Sequence, residues 1–350
     1  MIDVFKENLE QILLKKDLSY ENASYVMKEI MNGKLPASRI AALLIGLRMK
    51  GESIDEISAF ASVMREFALK IETEIPYLVD TCGTGGDTFK TFNISTISAL
   101  VAASCGVPIA KHGNRAVSSK CGSADLLESL GVNLNVKEDI VKQCIESANF
   151  GFLFAPAFHP AMKYAMPTRK ELGIRTIFNI LGPLTNPAFA KGQILGVFSK
   201  ELVEPMALVL AKLGISKGFV FHSEPGIDEI VPLGNVYIAE IKENIVNFSI
   251  KSPEEFGFPK INVEDIKSGD LEQNTRIAVN ILSGKDTSIR RDIIILNTAY
   301  AILTSGIESD MDKAKEMAKN AIEKGLPIQI LKDLIRITKG DITKLENLLK

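Results

Sequence analysis

The pattern of apolar and polar positions divides the chain into a helical beginning and a longer part in which strands and helices alternate. Apolar positions at helical spacing predict four short helices before residue 72. From residue 75 onward, short apolar runs alternate with helical patterns, which is typical of a mostly parallel sheet with helices on its faces. The sequence therefore predicts the α/β class, with a small all-helical N-terminal domain at residues 1–72 and a larger α/β domain at residues 73–350.

The alternating part predicts a central sheet whose strands are separated by helices. The predicted strands are 77–79, 107–111, 151–155, 193–198 and 218–222. The predicted helices are 97–105, 124–130, 137–147 and 202–213, followed by 274–282, 293–305, 311–324 and 328–337 in the C-terminal third. Prolines and glycines interrupt the alternation between residues 160 and 187, so we expect part of 161–188 to cross back to the helical domain.

The third predicted helix, residues 37–50, has little polar surface. Such a helix is either the core of its own bundle or a contact between subunits. Short helices alone bury only a modest area, so we expect a homodimer that forms through the helical domain. Ser53 and Glu56 have the spacing of a capping box and predict the start of the fourth helix.

Composition and charge argue against several classes of partner. The net charge of −2 gives no electrostatic reason to expect nucleic acid or a membrane surface. No secretory-type apolar segment follows Met1, and no apolar run is long enough to span a bilayer. The four cysteines lie far apart with no Cys-x-x-Cys pair, which is typical of reduced thiols. We therefore expect a cytoplasmic protein that binds small molecules.

A glycine-rich stretch, residues 80–87, follows the first predicted strand and precedes a predicted helix start at residues 93–96. Glycine allows a sharp turn and a close approach of the backbone to a ligand, because it has no Cβ atom. The free N–H groups and partial positive charge of a helix start suit a phosphate. The alternative is a strand-to-helix turn with ordinary capping. The stretch matches neither the dinucleotide-binding pattern nor the P-loop pattern.

A second polar stretch, residues 111–125, lies one helix and one strand further along and favours a phosphate site. Lys111, Arg115 and Lys120 supply positive charge, and Ser118 and Ser119 supply hydroxyl groups. The stretch stands at the end of a predicted strand, where ligands bind in open α/β sheets. A solvated loop is the alternative.

These stretches resemble the anthranilate phosphoribosyltransferase family. The similarity is carried in order by residues 80–87, 93–96, 111–115, 175–187 and 226–229, across nearly the whole chain. It implies transfer of the 5-phosphoribosyl group from phosphoribosyl pyrophosphate to the amine of anthranilate, with release of pyrophosphate. This is the second step of tryptophan biosynthesis from chorismate. The resemblance also implies a Mg²⁺ requirement, a homodimer built on the helical domain, and a fold shared with the pyrimidine nucleoside phosphorylases.

The resemblance further implies the residues of the site. The donor, phosphoribosyl pyrophosphate, is expected to contact Gly83, Gly86, Asp87, Thr91, Asn93, Ile94, Ser95, Thr96, Lys111, His112, Gly113, Asn114, Arg115, Ala116, Val117, Ser118, Ser119 and Ser123. The acceptor, anthranilate, is expected to contact Gly83, His112, Asn114 and Arg169. The expected Mg²⁺ ligands are Ser95, Asp228 and Glu229.

The chemistry of these residue types agrees with the implied roles. Asp228 and Glu229 are adjacent carboxylates, which on a surface loop are usually only solvated but opposite a pyrophosphate are suitable Mg²⁺ ligands. The guanidinium of Arg169 matches a carboxylate with two parallel hydrogen bonds, although a surface salt bridge is the alternative. We expect His112 to line the aromatic site. We assign no acid or base, because the aromatic amine is a neutral nucleophile that needs positioning more than proton removal.

Two other functions are compatible with parts of the sequence. A pyrimidine nucleoside phosphorylase would share the fold, but its glycine motif resembles Ser-Thr-Gly-Gly and its acceptor site lacks the segment of Arg169. A non-enzymatic relative that binds nucleic acid would need a strongly basic face. The net charge of −2 and the Asp228-Glu229 pair disfavour it.

Overall fold

The computed structural model describes residues 3–86, 89, 91–116, 121–258 and 261–350. In these ranges, seven strands form one sheet in the order β3-β2-β1-β4-β5-β6-β7. The strands are β1 (Val79–Gly83), β2 (Ile109–Gly113), β3 (Phe150–Phe154), β4 (Gly192–Gly196), β5 (Lys217–Ser223), β6 (Val236–Lys242) and β7 (Ile245–Lys251). Neighbouring strands from β3 to β5 run parallel, whereas the β5–β6 and β6–β7 pairs are antiparallel. The predicted mostly parallel sheet is confirmed.

The N-terminal part is helical, as predicted. Its helices are α1 (Val4–Leu13), α2 (Tyr20–Met31), α3 (Ala37–Lys50) and α4 (Ile54–Glu66). The capping box of Ser53 and Glu56 is present at the start of α4. Gly51 ends α3 with a φ of +88°, a backbone conformation that suits glycine.

Helices cover both faces of the sheet and complete the α/β class. Those before β4 are α5 (Ile94–Ser104), α6 (Ser123–Ser129), α7 (Glu138–Ala148), α8 (Ala155–Phe158), α9 (Met166–Leu172) and α10 (Phe178–Leu181). Those after β4 are α11 (Val203–Lys212), α12 (Val263–Ile266), α13 (Leu271–Leu282), α14 (Ile289–Ser305), α15 (Met311–Glu323), α16 (Leu326–Ile337) and α17 (Ile342–Leu349). None of the helices in the described part of the chain has both the length and the apolar character that crossing a membrane requires.

Alternating residues of the strands face two separate apolar cores. Ile194 and Phe219 belong to the core under α5 and α14. Leu195 and Val220, the next residue of each strand, belong to the core that contains α11 and the N-terminal helices. This period of two is what a parallel sheet buried on both faces requires. The N-terminal helices therefore share a core with one face of the sheet.

The segment between β3 and β4 packs against the N-terminal helices. Phe178 and Leu181 are buried in the same core as Phe60 of α4. The ring of Tyr164 covers Gly33 at the end of α2, where a Cβ atom would stand 2.6 Å from the ring. Residues of this segment therefore lie against the N-terminal helices, while the assignment of part of 161–188 to the helical domain stays a prediction.

Two details of the strands differ from the sequence prediction. The first strand was expected at residues 77–79, but β1 covers Val79–Gly83 and includes the polar Asp80 and Thr81, both buried. Polar residues enter this strand because its end supplies the site described below. The hairpin of β6 and β7 was not predicted. Its turn residues, Glu243 and Asn244, have φ values of +50° and +69°, and most of β7 is exposed on both faces.

Candidate active site

The site lies at the carboxyl ends of β1, β2, β4 and β5, where two glycines allow close contact with the segment that follows β5. A Cβ atom on Gly196 would stand 1.7 Å from the carbonyl oxygen of Asp228. A Cβ atom on Gly83 would stand 2.6 Å from Oδ2 of the same residue. Only glycine therefore lets Asp228 rest on the ends of β1 and β4. Ser223 supports this segment by donating its hydroxyl to the Glu229 carbonyl oxygen at 2.7 Å.

The three described residues of the glycine loop, residues 84–86, are each held by a different segment. The N–H of Phe198 donates to the Thr84 hydroxyl at 3.1 Å. The N–H of Gly85 donates to Asp228 Oδ2 at 2.8 Å. Nη2 of Arg175 donates to the Gly86 carbonyl oxygen at 2.7 Å. Gly85 and Gly86 have φ values of +67° and +81°, a conformation that favours glycine. The loop is therefore shaped before any ligand binds.

Glu229 and Lys111 meet at the start of α5. The N–H of Ser95, in the first turn of the helix, donates to Glu229 Oε1 at 3.1 Å. The hydroxyl of Ser95 accepts a hydrogen bond from Lys111 Nζ at 3.2 Å. A carboxylate is favoured at a helix N-terminus by the partial positive charge there. The structure thus brings together five residues that we expected in the site and that come from distant parts of the sequence, namely Gly83, Ser95, Lys111, Asp228 and Glu229.

Lys111 is a buried residue in the middle of β2, whereas we expected it at the end of a strand that covered residues 107–111. Its Nζ also donates to the carbonyl oxygen of Thr81 in β1. Burial lowers the pKa of Lys111, while the carboxylates of Asp80 and Glu229 act to raise it. The lysine is accordingly a fixed positive charge beneath the glycine loop, not a mobile loop side chain.

The residues present fit a magnesium ion that is shared with a substrate. The described residues contain no group of three or more His, Cys, Asp or Glu side chains that would hold a metal by themselves. Asp228, Glu229 and the Ser95 hydroxyl are hard oxygen donors at one place. Mg²⁺ is commonly bound through one or two carboxylates together with substrate phosphates, and this donor set matches that arrangement.

The second polar stretch surrounds the end of β2, but Arg115 differs from expectation. Its guanidinium binds Glu128 through two hydrogen bonds of 2.5 and 2.9 Å, and it also contacts Asp125 at 3.2 Å. The side chain is therefore paired with acids of α6. Asp125 Oδ2 accepts hydrogen bonds from the N–H groups of Ala116 and Gly122, both at 2.9 Å, and so links these two residues.

Other expected donor contacts lie at the same strand ends. Asn93 Nδ2 donates to the Cys121 carbonyl oxygen, while its buried Oδ1 has no partner among the described residues. Ser123 donates its hydroxyl to the Asn114 carbonyl oxygen at 3.2 Å, and a Cβ on Gly113 would meet that hydroxyl. The remaining expected contacts near the start of α5 are Thr91, Ile94 and Thr96. Asp87, Val117, Ser118 and Ser119 lie outside the described residues.

The side of the site expected for the acceptor contains two buried histidines. The rings of His112 and His159 lie 5.0 Å apart. Nδ1 of His112 donates to the Gly182 carbonyl oxygen at 3.1 Å, and Nε2 of each histidine has no partner among the described residues. Burial lowers the pKa of His112 to about 3 and that of His159 to about 4. Both imidazoles are neutral at pH 7.

Arg169 lies on α9, in the chain segment between His159 and Gly182, which both contact His112. Its guanidinium stands 5.0 Å from the Phe178 ring, and no acidic side chain pairs with it among the described residues. Burial lowers its pKa. A partly buried guanidinium without a carboxylate is a candidate for binding an anionic ligand, so the alternative of a surface salt bridge is wrong for the described residues.

The sequence did not indicate several residues that shape the site. Asp80 is fully buried and accepts the N–H of His112 at 3.1 Å, which fixes the end of β2 against β1. Burial raises the pKa of Asp80 to about 6, although Lys111 and the N–H of His112 act to lower it. Arg175 begins the motif at residues 175–187, but nothing in the sequence assigns it a role. The signal that the sequence offers for Asp80 and Arg175 is a charge inside an otherwise apolar or glycine-rich motif.

Comparison with known proteins identifies the family. Residues 76–328 match the α/β domain of a glycosyl transferase family, and residues 6–68 match the helical bundle domain of the same family. The anthranilate phosphoribosyltransferase of Alkaliphilus metalliredigens is 45% identical over 336 residues, which cover 96% of this chain and 99% of that protein.

Solved structures of anthranilate phosphoribosyltransferases are also similar to this chain. The crystal structure of anthranilate phosphoribosyltransferase from Thermus thermophilus has a TM-score of 0.90 and 40% identity, covering 97% of this chain and 100% of that one. The Saccharomyces cerevisiae enzyme in complex with phosphoribosyl pyrophosphate and Mg has a TM-score of 0.87 and 27% identity, covering 97% and 99%. The same yeast enzyme in complex with 4-fluoroanthranilate has a TM-score of 0.85 and 28% identity, covering 96% and 98%.

These findings confirm the reaction that the resemblance implied, which is phosphoribosyl transfer from phosphoribosyl pyrophosphate to anthranilate by a pentosyltransferase of tryptophan biosynthesis. The magnesium expectation is confirmed at the level of the family by the yeast complex. The phosphorylase and nucleic-acid alternatives lose their support. The chain belongs to the glycosyl transferase family matched by both of its parts and, within it, to the anthranilate phosphoribosyltransferases.

Proposed function

We propose that the cleft at the carboxyl ends of β1, β2, β4 and β5 performs this reaction with two separate sides, one for the donor and one for the acceptor. The observation that carries the proposal is the convergence of Gly83, Ser95, Lys111, Asp228 and Glu229 at one place. These residues come from the ends of β1 and β2, the start of α5 and the segment that follows β5. Their side chains supply the oxygen ligands and the positive charge that a metal-bound pyrophosphate needs.

On the donor side, the backbone of the glycine loop and of the 113–116 turn surrounds the phosphates, and Lys111 contributes a fixed positive charge from below. Ser95 and the two carboxylates hold Mg²⁺. When bound, the ion neutralises negative charge that develops on the departing pyrophosphate. Asn93 Oδ1, which has no partner among the described residues, accepts a hydrogen bond from a hydroxyl group of the ribose. Arg115 takes part through its backbone, because its side chain is paired with Asp125 and Glu128.

On the acceptor side, Arg169 binds the anthranilate carboxylate, and His112 lines the aromatic ring together with Gly83 and Asn114. The neutral imidazoles leave Arg169 as the positive group that selects an anionic acceptor. The buried Nε2 of His112 has no hydrogen-bond partner among the described residues, which costs free energy. The amine of the acceptor donates a hydrogen bond to it on binding. These residues hold the anthranilate amine in line with the ribose carbon that it attacks. Because the amine is correctly positioned, the reaction does not need a strong base.

The helical part forms the subunit contact of a homodimer in this proposal. Leu13 and Leu14 at the end of α1 and Met49 on α3 are apolar side chains exposed to 67%, 69% and 79%. Apolar groups exposed together mark interaction surfaces. We assign residues 1–72 and part of 161–188 to this helical domain, residues 73–350 to the catalytic domain, and the enzyme to the cytoplasm.

One assay tests the proposal directly. The chain contains no tryptophan, so the fluorescence of anthranilate can be followed without that background. Fluorescence should fall when phosphoribosyl pyrophosphate and Mg²⁺ are both present, and should persist when either is omitted or when chelator is added. Unchanged fluorescence with all components, using folded protein, would contradict the proposal.

A further inference from the structure

Arg175 occupies an unusual place beside the glycine loop. Its Nη2 donates to the Gly86 carbonyl oxygen at 2.7 Å, and its guanidinium lies 4.4 Å from the centre of the Phe198 ring. A Cβ atom on Gly86 would stand 2.5 Å from Nη2, so the fit between the arginine and the loop depends on glycine at this position. No carboxylate pairs with Arg175 among the described residues.

The ring under Arg175 is itself connected to the loop. The N–H of Phe198 donates to the Thr84 hydroxyl, and the N–H of Thr84 donates to the Gly196 carbonyl oxygen at 2.9 Å. The first and third residues of the described loop are therefore tied to the same pair, Phe198 and Arg175. The face of an aromatic ring attracts a guanidinium and limits its orientation.

Arg175 is also held from the helical part of the protein. Nη1 of Arg48, near the end of α3, donates to the carbonyl oxygen of Arg175. Arg175 therefore links the two parts, because its backbone carbonyl oxygen is bonded to Arg48 of α3 and its side chain is bonded to Gly86 of the glycine loop. No metal-ligand residue takes part in these two contacts.

We infer that Arg175 is a positioning residue for donor binding, and that Arg48 acts through it. By holding the Gly86 carbonyl oxygen, Arg175 keeps the loop in the shape that receives the phosphates of the donor. The reason is geometric: two successive glycines with positive φ have many alternative conformations, and one fixed carbonyl oxygen removes most of them. The inference rests on the proposed function, because it assigns the glycine loop to the donor.

Substitution of Arg175 should change the KM for the donor much more than the KM for the acceptor. In Arg175→Gln, which keeps a donor group but loses charge and reach, we expect the KM for phosphoribosyl pyrophosphate to rise about tenfold. The KM for anthranilate should change less than about twofold, because Arg175 is not proposed to touch it. Arg175→Lys should recover part of the loss. Arg276→Gln is the matched control, since Arg276 is an exposed arginine paired with Glu272 and distant from the loop in sequence.

Arg48 provides a second, independent test. Arg48→Met should raise the donor KM about threefold in the wild-type background. The same change should have no further effect in Arg175→Gln if Arg48 acts through Arg175. Multiplied effects in the double variant would overturn this part of the inference.

The outcomes distinguish the inference from the proposed function. If the wild-type protein does not consume anthranilate with the donor and Mg²⁺, the proposed function is wrong. If the wild-type protein is active and Arg175→Gln retains its donor KM, only the inference about Arg175 is wrong. Equal losses for both substrates with a lowered melting temperature would show a merely structural role and would also overturn it.

Discussion

The two sides of the cleft that we propose for the donor and the acceptor satisfy their polar groups in different ways. On the donor side, Asp228 and Glu229 cap the glycine loop and the start of α5, and Lys111 is bound by groups of β1 and α5. On the acceptor side, Nε2 of His112 and Nε2 of His159 have no partner, and Arg169 has no carboxylate within the described residues. Among the described residues, the charged groups of the donor side are already bonded within the protein and Asn93 Oδ1 is left for a ligand, whereas the acceptor side leaves both histidine nitrogens and the Arg169 guanidinium.

This difference follows from the two ligands. A donor with several negative charges and a metal ion needs a site whose charges are fixed in advance, because reorientation of charged groups at the moment of reaction is costly. A flat acceptor with one carboxylate needs fewer contacts, and neutral imidazoles do not compete with Arg169 for that carboxylate. Changes on the two sides should therefore affect different substrates and different kinetic constants.

The largest effect is expected from removing both carboxylates of the metal site. The double change Asp228→Asn with Glu229→Gln keeps the hydrogen-bonding shape but removes the negative charge that binds Mg²⁺. We expect kcat to fall more than about a hundredfold, or ~3 kcal/mol in the barrier. Steady-state rates measured over a range of Mg²⁺ concentrations check this. Unchanged turnover at saturating Mg²⁺ would contradict the metal assignment, and a retained circular dichroism spectrum would exclude unfolding as the cause.

A smaller loss, specific for the donor, is expected from Lys111→Met. The methionine fills a similar volume but leaves the donor phosphates and the carboxylates of Asp80 and Glu229 without the positive charge. We expect kcat/KM for phosphoribosyl pyrophosphate to fall on the order of a hundredfold. Initial rates at varied donor and saturating anthranilate test this, and thermal unfolding is measured in parallel. A loss that appears only in the anthranilate KM would reverse the assignment of sides.

Arg169→Ala should produce the opposite selectivity. Removal of a charge-assisted contact to the anthranilate carboxylate should cost on the order of 1.5–3 kcal/mol, roughly tenfold to more than a hundredfold in acceptor binding. The KM for phosphoribosyl pyrophosphate should stay nearly constant. Equal effects on both substrates together with a lowered melting temperature would show that Arg169 is structural.

The smallest effect concerns pH and the neutral histidines. Burial holds the pKa of His159 at about 4 in the folded protein, below its usual value near 6.5. The unfolded chain therefore binds more protons between these values, so the stability from His159 is complete above pH 6.5 and is lost as pH falls toward 4. His112 acts in the same direction, whereas Asp80, with its raised pKa, acts in the opposite one.

Replacement of His159 isolates this contribution. Between pH 7 and pH 5, the free energy of unfolding of His159→Asn should fall by roughly 2 kcal/mol less than that of the wild-type protein. Urea unfolding at both pH values measures the difference. Parallel losses in the two proteins would mean that His159 is accessible to protons in the folded state.

The sequence predicted the α/β class and the N-terminal helices, because each depends on a local pattern. A short motif also indicated Asp228 and Glu229, whose role as metal ligands stays a prediction. The sequence did not predict the β6–β7 hairpin, whose exposed β7 has no buried apolar face to provide a clear pattern. Nor did it predict that Arg175 reaches Gly86 or that Asp80 accepts from His112. These contacts join residues far apart in the chain, and only the packed sheet and crossover bring them together.

The central claim, that the two sides of the cleft serve different substrates, is tested most directly by measuring both KM values for Lys111→Met and Arg169→Ala side by side. We predict a crossed result, in which the first variant loses affinity for phosphoribosyl pyrophosphate alone and the second loses affinity for anthranilate alone. Two variants that raise both KM values by the same factor would contradict the account.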